Sequence, residues 1–458
     1  MEQKGKRSMI HKFEAGGVRL VLDVNSGAVH VIDKIVWDLL DYGPDFVWED
    51  IVKGLGDRYP VGDLREALSE INELVDAEML YTTWDPKDRP VMAGEPMIKA
   101  MCLHAAHDCN LRCRYCFAST GDFHGQRAML DLETGKKALE FLVNHSGHRR
   151  NLEVDFFGGE PLMNFDVVKK LVTYGRQLEK QYNKEFRFTV TTNGLLLDDD
   201  TIAYINREFV NVVLSIDGRR EVHDCLRKTV NGRGSYDAIV PKAIRLADLR
   251  NQTDYYVRGT FTKYNKDFDK DVLHLADLGF QQISIEPVVA SEDEDYHLSR
   301  EDLPEIFASY DRLLKAYLER RKEGKGFNFF HFQVDLEQGP CAAKRAAGCG
   351  VGNEYIAVTP TGDIYPCHQF VGEEKFKMGS VLDGSFRQDM QQNFRKCNVF
   401  TKEKCSSCWA KFYCSGGCSA NASHFSGSID EPYELGCEME RKRLECALAV
   451  KAIEAEEE

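Results

Sequence analysis

The cysteines constrain this 458-residue chain more than anything else in it: there are fifteen of them, and their spacing is uneven. An odd set cannot pair fully as disulfides. Three stand together at Cys109, Cys113 and Cys116, Cys225 is alone in the stretch that follows, and a dense set begins at Cys341 and runs to Cys446. The N-terminus, MEQKGKRSMIHKFEAGG, has no apolar signal core, and no apolar run approaches the roughly 18 residues of a spanning helix. The sequence thus reads as cytoplasmic. In a reducing compartment, grouped thiols hold metal or do chemistry more often than they cross-link. Lys and Arg number 59 against 74 Asp and Glu, a formal charge of −15. That balance argues against nucleic acid or an anionic membrane as a partner.

Patterning divides the chain into four parts: a small module over 1–85, an α/β domain over 95–330, a Cys-rich domain over 335–445, and a charged tail over 446–458. In the module, alternating residues from Met9 to Ile32 with turns at Gly16-Gly17 and Asn25-Ser26-Gly27 predict a three-stranded meander. Helical patterns follow, the clearest placing Leu64, Leu68, Ile71 and Val75 on one stripe. In the α/β domain, strands are expected at 100–104, 152–157, 186–192, 210–216, 255–261 and 281–286, with helical segments such as 132–144 and 164–180 between them. Repeated βα units imply a parallel sheet buried on both faces, as a partial barrel or a doubly wound sheet. A barrel places its chemistry at the C-terminal ends of the strands. Beyond residue 340 the apolar runs are short, so bound metal is expected to supply part of the folding energy.

Cys109, Cys113 and Cys116 follow the first expected strand as C-x3-C-x2-C. Three thiolates can hold three irons of a four-iron cluster and leave one iron open, whereas a zinc ribbon wants a fourth ligand that is absent nearby. With Tyr115 before the last cysteine, the motif resembles that of the radical S-adenosylmethionine (SAM) enzymes. The resemblance implies a partial (β/α)6 barrel in which the open iron binds the amino and carboxylate groups of SAM. One-electron cleavage then yields a radical that abstracts hydrogen, and a low-potential electron donor is an implied partner. Gly158, Gly159, Glu160 and Pro161, beginning 42 residues after Cys116, fit the place where this family meets the SAM ammonium; small residues allow close backbone approach and a carboxylate accepts from the amine. The family pattern sets Ser215 and Arg227, twelve residues apart, near the SAM carboxylate. For Arg227 a surface salt bridge is the plainer alternative. Asn193 is either a ligand neighbour or a turn residue tolerating positive φ. Glu286 is expected to border the adenine.

Cys349, Cys367, Cys405, Cys408, Cys414, Cys418 and Cys437 resemble the seven-cysteine SPASM domain of peptide-modifying radical SAM enzymes, which houses auxiliary four-iron clusters. By that resemblance Cys405, Cys408, Cys414 and Cys437 hold an outer cluster, and Cys349, Cys367 and Cys418 an inner one, for three [4Fe-4S] clusters in all. Cys341 is one candidate for the missing eighth ligand, and a substrate thiolate is the other. Cys102, Cys225, Cys397 and Cys446 are expected as buried structural thiols. His104 and His107 are expected to pack or hydrogen-bond near the first cluster.

Residues 1–80 carry nine Lys and Arg against sixteen Asp and Glu, the wrong charge for a winged helix that reads DNA. The module instead resembles the PqqD-like recognition element of ribosomal-peptide maturases, a winged-helix-like fold that takes an extended leader peptide on a sheet edge. Val29-His30-Val31 and the stripe from Leu64 to Val75 are where that groove is expected, although part of the stripe must pack on the sheet. The order of the parts, with HQFVGEEKFKMGSV after Cys367, resembles maturases of six-cysteine (SCIFF-type) precursor peptides. That family joins a Cys sulfur to an acceptor carbon, implying a Cys-rich precursor peptide with a leader as partner. Two alternatives remain at this point, a formylglycine-forming sulfatase maturase and a non-enzymatic metal-binding scaffold. No general base is assignable.

Overall fold

The computed structural model describes residues 8–83, 95–336 and 342–457. The N-terminal module is the expected meander, β1 (Ile10–Ala15), β2 (Val18–Asp23) and β3 (Val29–Ile32), antiparallel in chain order. Helices α1 (Lys34–Leu39), α2 (Trp48–Leu55) and α3 (Val61–Asp76) follow. Alternation along the strands splits the sheet. Val21 meets Leu64, Ile71 and Leu39 in a core of the module's own, while Phe13, Ala15, Leu20 and Leu22 join the main core of the chain. In the α3 stripe Leu64 and Ile71 are buried, and Leu68 and Val75 are half-buried. β3 has a strand partner on one side only, and the His30 imidazole lies 3.1 Å from the Met79 carbonyl.

All six expected parallel strands are present: β4 (Ala100–His107), β5 (Asn151–Gly158), β6 (Glu185–Thr192), β7 (Asn211–Ser215), β8 (Tyr255–Phe261) and β9 (Gln282–Pro287). They lie side by side in chain order, every neighbouring pair parallel. Helices α4 (Leu132–His145), α5 (Phe165–Tyr182), α6 (Asp199–Glu208), α7 (Tyr236–Leu249) and α8 (Phe268–Asp277) connect them, and α9 (Leu303–Lys322) follows β9. Asp131 and Asp198 cap α4 and α6 by accepting from the Thr134 and Thr201 amides, a device worth about 1 kcal/mol. Leu152, Val154 and Phe156 on β5, and Phe186, Phe188 and Val190 on β6, are fully buried in the main core. The opposite face departs from the apolar character expected of a sheet buried on both sides. It presents Asp155, Thr191, Ser215, Arg258 and Glu286, and it encloses a polar lumen.

The C-terminal region completes this sheet. β10 (Tyr355–Val358) pairs parallel with β4, Ala357 opposite Cys102, and β11 (Asp363–Tyr365) returns antiparallel to β10. Ile356, Val358, Ile364, Phe370 and Met378 join the main core, so this region leans on the barrel for the core its short apolar runs could not make alone. The charged segment over 446–458, expected as a helix or tail, is the end of α10 (Glu434–Glu457). Cys446, Ala447, Leu448, Ala449 and Val450 are buried on every side of that helix, the mark of a helix enclosed by neighbours. Gly16 of the module approaches Ile453 and Leu314, and the stacked rings of His11 and Trp409, 3.9 Å between centroids, add a second seam.

Candidate active site

The C-terminal ends of β4 to β9 surround a cavity of about 280 Å³. It is lined by the three thiols of the C-x3-C-x2-C loop, by Gly158, Gly159 and Glu160 after β5, and by Thr192, Asn193, Ser215, Arg227 and Glu286. Every residue singled out for the SAM site thus borders one cavity, except Pro161, which is buried and opens the single turn Pro161–Asn164.

The thiol loop is shaped by an antiparallel pairing that the sequence did not reveal. Leu111–Cys113 pairs with Arg227–Thr229, which sets Arg227 directly opposite Cys113. The Leu111 amide donates to Cys109 Sγ at 3.4 Å and Asn193 Nδ2 approaches it at 3.7 Å. Burial pushes the Cys109 thiol up to about 12 and Cys113 up to about 11, with Arg227 opposing for Cys113; Cys116 is raised as well. Bare thiolates are therefore disfavoured, and a cationic core is needed to hold them deprotonated. Among the described residues no three His, Cys, Asp or Glu groups gather as a single ion requires. Zinc thiolates about 2.3 Å from one ion would crowd together, whereas thiols on separate irons of a larger core need not.

Glu160 is a strut. Its Oε1 accepts from the Leu162 amide at 3.0 Å and Thr192 Oγ1 at 2.8 Å, and its Oε2 from the Asn193 amide at 2.8 Å. It ties the end of β5 to that of β6, and a carboxylate with three acceptor sites used has room for one more donor. Burial raises its proton affinity and these donors oppose the shift. The glycines also allow a close approach within the chain itself. A Cβ on Gly158, where φ is +119°, would lie 2.2 Å from the Ala106 carbonyl oxygen, and one on Gly159 would lie 2.1 Å from that of Asp108. It is the backbone of β4, therefore, that excludes side chains here, and the same carbonyls accept from the Gly159 and Glu160 amides. The positive φ foreseen as one option for Asn193 falls on Gly194 at +77°. Asn193 instead donates to Asn110 Oδ1 at 2.7 Å.

Arg227 is buried rather than part of a surface pair. Its Nη1 donates to Tyr115 Oη at 2.6 Å, and Tyr115 donates to Asp217 at 2.7 and 2.8 Å. Arg227 Nε and Asn110 Nδ2 are buried donors with no partner. Such groups are rare in folded proteins, and an anionic group in the cavity would suit Arg227. Thiols, an acceptor for an amine and an unpartnered guanidinium edge around one cavity fit a cluster with SAM. Glu286 lines the cavity but is already engaged with Arg258, at 2.9 and 2.7 Å. Although burial pushes Glu286 up, Arg258, His331 and Arg443 bring it down to about 2.

The cysteines of the second set lie in two places. Cys405, Cys408, Cys414 and Cys437 surround a cavity of about 240 Å³. Burial pushes Cys414 up to about 12, and its three neighbours add to the shift. Cys367 is likewise raised to about 12 by burial, with Cys418 and Cys349 contributing. Cys367 is buried, while Cys349 and Cys418 are exposed. Cys341 lies outside the described residues. His368, next to Cys367, and Asn421, three residues after Cys418, line the SAM-site cavity; neither was singled out from sequence, and only the contact between domains reveals them. Cys102, Cys397 and Cys446 are buried as expected, but Cys225 is exposed, because its helix turns Val222, His223 and Leu226 inward. His104 and His107 are buried and 2.9 Å apart.

Residues 105–285 match the radical SAM superfamily and residues 349–409 the SPASM iron–sulfur cluster-binding domain. A cysteine-type anaerobic sulfatase-maturating enzyme of Clostridium novyi is 24% identical over 335 residues, 69% of this chain and 86% of that protein. The antilisterial bacteriocin subtilosin biosynthesis protein AlbA of Bacillus subtilis is 24% identical over 294 residues, 62% of this chain and 59% of its own. Among solved structures, anSMEcpe with bound AdoMet and the Kp18Cys peptide has a TM-score of 0.64 at 20% identity, covering 78% of this chain and 99% of that one. Streptococcus suis SuiB bound to S-adenosylmethionine has 0.50 at 17% identity, but covers 92% of this chain and 97% of its own. Taken with the thiol loop and the cavity beside it, these matches give the chain a radical SAM domain and a SPASM domain, similar to those of sulfatase-maturating enzymes and of a bacteriocin biosynthesis protein.

Proposed function

We propose that this enzyme forms thioether crosslinks between Cys sulfurs and acceptor carbons of a ribosomally made, Cys-rich precursor peptide. One observation carries the reading: the cavity beside Cys109, Cys113 and Cys116 is also lined by His368 and Asn421, which lie one residue after Cys367 and three after Cys418. A sulfur held near the second set would face the same space as the carbon that loses hydrogen. The relatives' names support a peptide substrate: one is solved with the Kp18Cys peptide and another serves bacteriocin biosynthesis.

In this reading Cys109, Cys113 and Cys116 hold the SAM-binding [4Fe-4S] cluster. Cys405, Cys408, Cys414 and Cys437 hold the outer auxiliary cluster, and Cys349, Cys367 and Cys418 the inner one, completed by Cys341 or by a substrate thiolate. Bound and reduced by a low-potential donor, the cluster and SAM supply hydrogen-atom abstraction. The chain's own residues do the rest. Glu160 accepts from the SAM amine, Arg227 and Ser215 meet its carboxylate, and Tyr115 fixes Arg227. The free edge of β3 beside α3 takes the leader as an added strand, which raises the local concentration of the core peptide. Residues 8–83 form a sheet and helices with a core of their own, a part that sulfatase maturation does not require, and this ranks the formylglycine reading second.

The test is mass spectrometry after anaerobic reaction with SAM, dithionite and any short Cys-rich peptide that the adjacent reading frames encode. Loss of two hydrogens per link, with protection of Cys from alkylation, is expected. Loss of sulfur from Cys would establish the formylglycine reading instead, and intact peptide with no deoxyadenosine would refute both.

A further inference from the structure

Tyr115 and Arg227 of the cavity wall belong to a closed ring of hydrogen bonds whose other members, Asp217, His223 and Ser235, the chemistry above does not use. The Asp217 carboxylate accepts from Tyr115 Oη, which accepts from Arg227 Nη1. Beyond Arg227 its carbonyl accepts from Ser235 Oγ at 2.6 Å; Ser235 Oγ lies 2.9 Å from His223 Nε2; and His223 Nδ1 accepts from the Asp217 amide at 3.4 Å. Since Nδ1 accepts, the ring proton sits on Nε2 and is donated to Ser235, so every polar atom in the circuit has one consistent role. Asp217, His223 and Ser235 are wholly buried. The Thr260 amide adds a further donor to Asp217 Oδ1 at 3.2 Å. The Asp217 carboxylate is 3.8 Å from Arg227 Nη1, and Arg227 stands opposite Cys113 with its Nε unpartnered.

We propose that Asp217 is a positioning residue of the SAM site, which aims Arg227 through Tyr115 and, by offsetting the guanidinium charge beside Cys113, lowers the reduction potential of the cluster held there. The inference rests on the proposed SAM-binding role of Cys109, Cys113 and Cys116. Its physical basis is Coulombic. Reduction adds negative charge to the cluster, so a nearby cation favours the reduced form and a nearby anion opposes it, more strongly in a buried site than in water. Burial pushes Asp217 up to about 6 while Arg227 and Tyr115 oppose the shift, so it is an anion at pH 8. The two charges therefore act with opposite sign on one cluster, and Tyr115 fixes the distance between them.

The experiment is an anaerobic redox titration at pH 8 of the full-length, iron-loaded enzyme. It is followed by electron paramagnetic resonance on the signal that changes when SAM is added. Asp217→Asn keeps an acceptor for Tyr115 but loses the charge, and its midpoint is expected above wild type. Arg227→Gln is expected below wild type. Tyr115→Phe keeps both charges but cuts the tether; it is expected to raise KM for SAM severalfold in abortive deoxyadenosine formation, with kcat less affected. A merely structural role would not move two midpoints in opposite directions. Asp217→Asn at or below the wild-type midpoint overturns the proposal. If that variant fails to load iron, an unchanged KM in Tyr115→Phe overturns it instead. A wild-type enzyme with no SAM-responsive signal sinks the underlying assignment, an outcome distinct from either.

Discussion

Glu160→Gln perturbs the strut that orders the cavity wall, together with the acceptor proposed for the SAM amine. The side chain keeps its length, so packing is preserved and only donors and acceptors change. The Gln oxygen can retain the Leu162 amide and the Thr192 hydroxyl, now at 3.0 and 2.8 Å from Glu160 Oε1. Its NH2 then faces the Asn193 amide, donor against donor, where Glu160 Oε2 accepts at 2.8 Å. Leaving one buried donor unmade costs about 1–3 kcal/mol, and turning two charge-assisted bonds neutral removes roughly 1 kcal/mol more. Relief of a buried charge returns part of this. The net is about 2–3 kcal/mol, which falls on the turn after β6 that borders the cavity. Because that turn must be re-ordered when SAM binds, affinity should weaken roughly 30- to 150-fold. The assay is calorimetric titration of SAM into the anaerobically reconstituted variant, with iron content measured alongside. Glu160 is not proposed as an iron ligand, so iron should match wild type. A Kd within threefold of wild type at full iron loading would refute the strut argument.

Gly158→Ala places a Cβ 2.2 Å from the Ala106 carbonyl oxygen at φ +119° and is expected to yield little soluble, iron-loaded protein, whereas Gly17→Ala, at φ +85° with nothing within 4 Å, costs only about 1 kcal/mol of strain; expression and melting of the two variants compare them. Burial raises Asp155 to about 7 despite Thr191 and Arg258. A carboxyl raised in the folded state contributes stability below its unfolded value, and that contribution is lost as pH rises through the folded one. From about 3.9 to 7 this is at most roughly 4 kcal/mol, so Asp155→Asn should raise the melting temperature more at pH 8 than at pH 5, and equal effects at the two values would contradict it. Cys414→Ala should lose about four irons per chain while abortive SAM cleavage persists; iron analysis with deoxyadenosine counting checks both.

Legibility in the sequence followed the range of the interactions involved. The six strands were readable because each is a short apolar run closed by turn residues, and all of them lie where expected. The thiol spacing was readable because Cys109, Cys113 and Cys116 lie within one loop. Cys405, Cys408, Cys414 and Cys437, spread over 33 positions of the chain, line one cavity. What escaped was set by contacts across hundreds of residues. His368 and Asn421 reach the cavity only because β10 pairs with β4, and that pairing brings the second cysteine set to the barrel mouth. Arg227 was placed by its distance from Ser215, but its burial depends on the pairing of Leu111–Cys113 with Arg227–Thr229.

The C-terminal helix shows how composition can mislead. Residues 438–458 are rich in Glu, Lys and Arg, which reads as a charged helix or tail. Yet the short run from Cys446 to Val450 is buried, and the charges around it find partners: Lys442 with Asp311, Glu445 with His11, Glu454 with Arg321. The apolar stretch is too short to stand out by periodicity, and it has meaning only as one wall of a space between α9 and the N-terminal sheet. That arrangement has a consequence for the leader. One face of the sheet is sealed by α10 and the other by the module's helices, so a peptide that reaches the sheet has only an edge to bind. Of the two edge strands, β1 and β3, the proposal places the leader on β3, and a variant that blocks that edge should raise KM for full-length peptide while leaving abortive SAM cleavage unchanged.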